Sequence, residues 1–150
     1  MTQEKNKQEK KPFQKKEEAH EACARLDNVS ISTKDSIEIC NFIRYKPLIK
    51  AKQMLQKVLE KKIAVPFKRY NLDLGHKPGI ASGRYPEKPI KEILKLLDLV
   101  QANAENKGLD GENLVITKLI ANKGLHQMHY GRKRSRRFKR THLEIFVKEI

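Results

Sequence analysis

From Ala22 onward apolar and polar positions alternate, through Ala24 and Leu26 and then Val29 and Ile31, which is the pattern of a short half-buried strand. The period then lengthens. In STKDSIEICNFIRYK, Ser32 is placed as an N-cap, and Asp35 puts a carboxylate in the first turn, where backbone N–H groups and the helix dipole favour it. Ile37, Cys40 and Ile43 supply one apolar face. Pro47 suits a first helical position, and Leu48, Ala51, Leu55, Val58 and Leu59 follow at helical spacing, with Lys50, Lys52, Lys57 and Lys61 turned away. A third helix is predicted from Pro89, with Ile90, Ile93, Leu94, Leu97 and Val100 as its stripe and Gly108 as the left-handed residue that ends it.

Two further segments read as strands. LVITKLIA is a β-branched run of strand length, and in the closing HLEIFVKEI, Leu143, Ile145 and Val147 alternate with Glu144, Phe146 and Lys148. The economical connection between adjacent strands is antiparallel, so the stretch between them, GRKRSRRFKRTH included, is expected at the far end of a β-hairpin. Between Ile63 and Glu87, by contrast, Gly75, Gly79 and Gly83 and three prolines predict irregular chain that is either functional or ordered by a partner. The fold class expected is therefore α+β: three helices packed on a small antiparallel sheet, with an extended basic β-hairpin arm over residues 123–142. Residues 1–18 hold Phe13 as their only large apolar group and are expected to form a disordered charged extension to a single domain, 19–150.

Charge changes what this fold is for. The 150 residues carry 33 Lys+Arg against 18 Asp+Glu, a formal net charge of +15, and this points to a polyanion, nucleic acid before lipid. No stretch has the roughly 18 consecutive apolar residues of a membrane helix, and the N-terminus lacks a secretory signal's apolar segment, so a cytoplasmic protein with no membrane partner is expected. Cys23 and Cys40 are too few for a disulfide framework and are read as small hydrophobes with free thiols. Residues 113–143 contain nine cations and no acid. Such an arm repels itself and needs an anion to lie against. Arg132, Lys133, Arg134, Arg136, Arg137, Lys139 and Arg140 are its RNA-contact candidates, together with Lys123, His126 and His129. Five of those seven closely spaced cations are arginines, whose planar fork suits phosphate and base stacking, while Tyr130 and Phe138 offer stacking faces. If all seven engage phosphates, a log–log salt slope of about −5 is expected. Lys68, Arg69, His76, Lys77 and Arg84 add loop candidates.

Other chemistries fit poorly. His126 and His129 stand three apart without further ligands, so no metal is expected. HKPGIASG lacks the order of a phosphate-binding loop, and no nucleophile–base or carboxylate pair stands out, so neither a cofactor nor an enzyme is expected. A small nuclease using His76 or His129 is the enzymatic alternative, and divalent-metal-dependent RNA cleavage would reveal it. A free or peripheral architectural nucleic-acid binder is the other alternative, but duplex DNA is disfavoured because no proline wedge occurs beyond residue 89.

Five segments, ARLDNVSISTKDSIEICNFIR, AVPFKRYN, GRYPEKPIKEILKLL, ANAENKGLDGENLVI and THLEIFV, together resemble, in order, the ribosomal protein L-twenty-two family of the large subunit in its archaeal and eukaryotic form. The resemblance covers about residues 22–150. It implies a protein that scaffolds large-subunit ribosomal RNA and aids assembly without catalysis. It also implies a hairpin tip that helps to line the nascent-peptide exit tunnel beside neighbouring ribosomal proteins, with the nascent peptide itself as a tip contact and no homo-oligomer. The family's loop motifs fall on Lys68, Arg69, Tyr70, Gly83, Arg84 and Tyr85. The hairpin is several residues shorter than the usual form, and residues 1–18 have no family counterpart.

Overall fold

A computed structural model describes residues 20–150; the expected disorder of residues 1–18 lies outside that range. Three long strands, β1 (Glu21–Val29), β5 (Leu114–Lys123) and β6 (Thr141–Glu149), form an antiparallel sheet in the order β1-β6-β5. Its register sets Ala24 opposite Ile145 and Ile145 opposite Leu119, so each strand sends alternate residues into the core. Thr141, Leu143, Ile145 and Val147 are buried, while the intervening His142, Glu144 and Phe146 are half-buried on the other face. Against the buried face pack α1 (Thr33–Ile43), α2 (Leu48–Leu59) and α3 (Glu87–Asn106). This is the α+β arrangement that the periodicities predict.

Where the helices begin and which face they bury differ in detail. Ser32 caps α1 as expected, its hydroxyl accepting from the Asp35 N–H at 3.5 Å. The buried face of α1, however, is Ser36, Ile39, Cys40 and Ile43; Ile37 is left half-exposed. The segment has apolar residues in two helical phases, and packing on β5 selects the one containing Ile39. In α3, likewise, Leu96 takes the buried place expected of Leu94. Pro47 is the N-cap of α2, one residue before its first turn, and α3 starts at Glu87, two residues before Pro89. Gly108 has φ +79° just after the last helical turn, and Leu109 N–H closes back on the Ala104 carbonyl at 3.0 Å. Lys52 does not point freely outward: its ammonium lies 2.6 Å from Asp98.

The largest correction concerns residues 63–87. Instead of irregular chain, β2 (Val65–Pro66), β3 (His76–Lys77) and β4 (Ala81–Arg84) make a second small antiparallel sheet in the order β2-β4-β3. His76 pairs with Ser82 and Val65 with Arg84. The expected β-ribbon between β5 and β6 continues only as far as the Lys123–Thr141 pair. Beyond it, residues 124–140 double back with a single bridge between Met128 and Arg137 and a one-turn 3-10 helix at Gly131–Lys133. Backbone amides of Arg132, Lys133, Arg134 and Arg137 should therefore exchange at rates close to those of an unstructured peptide, and those of Ile93–Val100 far more slowly. Equal protection of both segments in a hydrogen-exchange experiment would contradict this.

Both cysteines are free thiols, as expected; Cys40 is buried in the core, whereas Cys23 is exposed on β1. Burial pushes the Cys40 thiol up to about 12. The folded state thus prefers the neutral thiol; the stability this contributes is fully present below the unfolded thiol's value near 8.5 and is lost as pH rises through about 12. At pH 8 a thiol reagent should label Cys23 at once and Cys40 only on unfolding. Rapid labelling of both would show the helix face of α1 to be open.

Candidate nucleic-acid interface

A buried carboxylate organises the loop that carries the first basic residues. Glu38, on α1 and only 1% exposed, accepts hydrogen bonds from three successive backbone N–H groups: Lys68 at 3.2 Å, Arg69 at 2.8 Å and Tyr70 at 2.8 Å. The N–H dipoles replace the water that an isolated buried charge would otherwise lose. With their backbones held, Lys68 and Arg69 present exposed side chains, and the Arg69 guanidinium lies 5.2 Å from the Tyr70 ring. Nothing in the local sequence singles out Glu38 from the other acids; only the fold shows its role.

At the root of the connection between β5 and β6, packing again fixes what can move. The Thr141 hydroxyl is buried, 2.8 Å from that of Thr33 and 3.1 Å from the Ile31 carbonyl, which ties the start of β6 to the N-terminus of α1. Gly124 lets the two legs approach: a Cβ there would stand 3.1 Å from the Arg140 backbone, and Gly124 N–H donates to the Arg140 carbonyl at 2.8 Å. Arg140 itself turns back to the Asn28 carbonyl at 3.3 Å, so it serves the root more than an outside partner. Beside it, Asp27 meets Arg25 at 2.6 Å and His142 at 2.8 Å. The Arg25 hydrogen bond, assisted by His142, holds the Asp27 carboxyl below the usual carboxylate range.

The remaining candidates fall into neighbouring hollows. One, about 650 Å³, lies where α1 begins and brings Arg84, Lys123, His126 and Lys139 together with Tyr70. Lys34, in the first turn of α1, joins them; no motif marks it in the sequence. A second hollow shares Ser32, Asp35 and Lys139 with the first and adds Lys88, His129 and Arg137. Lys68 lies elsewhere, in a third hollow with Arg44 and Lys46. His76 is exposed on β3, and Lys77 sits 5.5 Å over the Tyr85 ring. Arg132, Lys133, Arg134, Arg136 and Arg137 are all exposed around the turn at Gly131, whose φ is +63°. Of the two aromatics expected to offer stacking faces, Phe138 is already stacked on His129 with centroids 3.6 Å apart, whereas Tyr130 is 87% exposed.

The electrostatics divide the surface. Among the described residues, the ion pairs involve Arg25, Lys52, Lys62 and Lys95 with Asp27, Glu144, Asp98, Glu60 and Glu92, and His20 and His142 with Glu149 and Asp27. No cation between Lys123 and Arg140 takes part in one. Among the described residues no group of His, Cys, Asp and Glu is placed to hold a metal ion, and no helix is long and apolar enough to cross a membrane.

Fold and surface together define a small α+β protein whose cations without an ion-pair partner among the described residues gather where the β5–β6 connection meets α1. The chain belongs to the family described as Ribosomal protein L22p/L17e, whose sequence model matches residues 24–148. It is similar to the large ribosomal subunit protein uL22 of Nanoarchaeum equitans, 51% identical over 132 residues that cover 81% of this chain and 75% of the relative. The protein of the same name from Thermoplasma acidophilum is 44% identical, with 71% of each chain covered. That from Staphylothermus marinus is 39% identical, with 92% of this chain and 95% of the relative covered. The family is structural and non-enzymatic, and the chain is a ribosomal protein.

Proposed function

We propose that the protein is a structural constituent of the large ribosomal subunit, working in the cytoplasm, where it binds ribosomal RNA and aids assembly. The observation that carries the RNA reading is the run of exposed cations from Lys123 to Lys139 without an acidic partner among the described residues, continued by Lys34 and Arg84 on the neighbouring elements. Cations left unpaired in the folded protein keep their full attraction for phosphate, and releasing condensed counterions from RNA drives the association. The turn from Gly131 to Arg137 projects its side chains into solvent, which suits a tip that reaches past the subunit's RNA to the nascent-peptide exit tunnel, beside neighbouring ribosomal proteins. There Leu125, Met128 and Tyr130, all exposed, can face a passing peptide.

Sedimentation of native cell extract at moderate and then high salt tests this. Retention of the chain in the large-subunit peak at high salt is expected; a shift into light fractions would favour a peripheral or free architectural nucleic-acid binder.

A further inference from the structure

We propose that the hollow at the start of α1 receives a single unpaired ribonucleotide turned out of an adjoining RNA helix. This rests on the RNA-binding reading above and places one specific site within it. At about 650 Å³ the hollow falls in the range of roughly 300–1,000 Å³ common to pockets for small ligands. Its walls divide by chemistry. Tyr70 and Ile37, both half-buried, supply an aromatic and an aliphatic surface. Lys34, Arg84, Lys123 and Lys139 surround them, none with an acidic partner among the described residues.

A bare phosphate, or the backbone of a duplex, would use only those cations, and the Asp35 carboxylate and the Ile37 side chain would oppose it. A nucleotide uses every part. Its phosphates meet the lysines and Arg84, its flat face lies against Tyr70 and Ile37, and its amino or imino N–H groups can donate to Asp35 or to the amide oxygens of Asn71 and Asn122. The Lys34 ammonium stands 5.8 Å from the Tyr70 ring centroid on an exposed, flexible stem, so it can leave the ring for a phosphate when a base arrives. His126 also lines the hollow, and its Nε2 has no hydrogen-bond partner among the described residues, which leaves a further polar valence open. Half-burial of Ile37, which the sequence pattern assigns to the core of α1, follows from the same geometry: the core uses Ile39 and leaves Ile37 to the groove.

Two RNA hairpins of equal length, one fully paired and one with a single bulged nucleotide in its stem, distinguish the site from general charge attraction. By fluorescence anisotropy the full chain should bind the bulged hairpin about tenfold more tightly, the contribution expected of one stacked base. Ile37→Arg fills the hollow while adding a cation, so it should abolish the preference without weakening binding to the paired hairpin. Tyr70→Leu should abolish it with the charge unchanged, and decides the matter if Ile37→Arg fails to fold. Equal binding of both hairpins by the unsubstituted chain overturns the nucleotide site and leaves RNA binding standing, as does a preference that survives both substitutions. Binding of neither hairpin overturns both.

Discussion

Glu38→Ala should lower the unfolding free energy by about 3–5 kcal/mol, because it strands three N–H groups that now donate to a buried carboxylate. Hydrogen bonds to a charged acceptor are each worth about 1.5–3 kcal/mol and are not additive when they share one acceptor, which sets the upper limit. In a protein of this size the melting temperature should fall by about 10 °C. Glu38→Gln should cost less, since its amide oxygen can still take the Arg69 and Tyr70 N–H groups, while its NH2 cannot accept from Lys68. Thermal melts of the two variants check this. A loss under about 1 kcal/mol for Glu38→Ala would mean that the loop is held by something other than the carboxylate. RNA affinity should fall with stability, because Arg69 and Tyr70 depend on the same hydrogen bonds for their positions.

Arg134, Arg136 and Arg137, replaced together by alanine, should give the opposite signature. All three are exposed and make no ion pair among the described residues, so folding gains nothing measurable from their charge, and the melting temperature should stay nearly unchanged. RNA affinity should fall on the order of a hundredfold near 0.1 M salt, and the salt slope should flatten by about 2, in proportion to three lost phosphate contacts. Titration of the variant with RNA at several salt concentrations measures both. A large drop in melting temperature instead would place this segment inside the protein's own packing, and an unchanged slope would place the RNA elsewhere.

The contrast between these two sites shows where local pattern ends. The arginine run is visible because charge density is a property of the sequence itself, whatever the fold does with it. Glu38 looks like any helix acid in the sequence; its importance comes from residues thirty positions away. The same holds within the charged segment. Arg140 reads like its neighbours, yet it turns back to Asn28, and Phe138 spends a face on His129 instead of offering it to a partner.

Periodicity determined the three helices and the strands β1, β5 and β6, since burial of one face imposes a period of 3.6 or 2 on apolar residues, and the short connection between the last two determined their antiparallel relation. Composition pointed toward a polyanionic partner, and five motifs in order pointed to the family that the sequence model matches. Only the tertiary structure decided which helical phase of α1 is buried, because Ile37 and Ile39 are equally apolar and the choice belongs to the sheet beneath them. It alone revealed β2, β3 and β4, since strands of two to four residues are too short to carry a period and exist through cross-strand pairing. It alone brought Lys34, Arg84, Lys123 and Lys139 to one hollow, because residues a hundred positions apart meet through strand register and helix packing, which no local stretch of chain specifies.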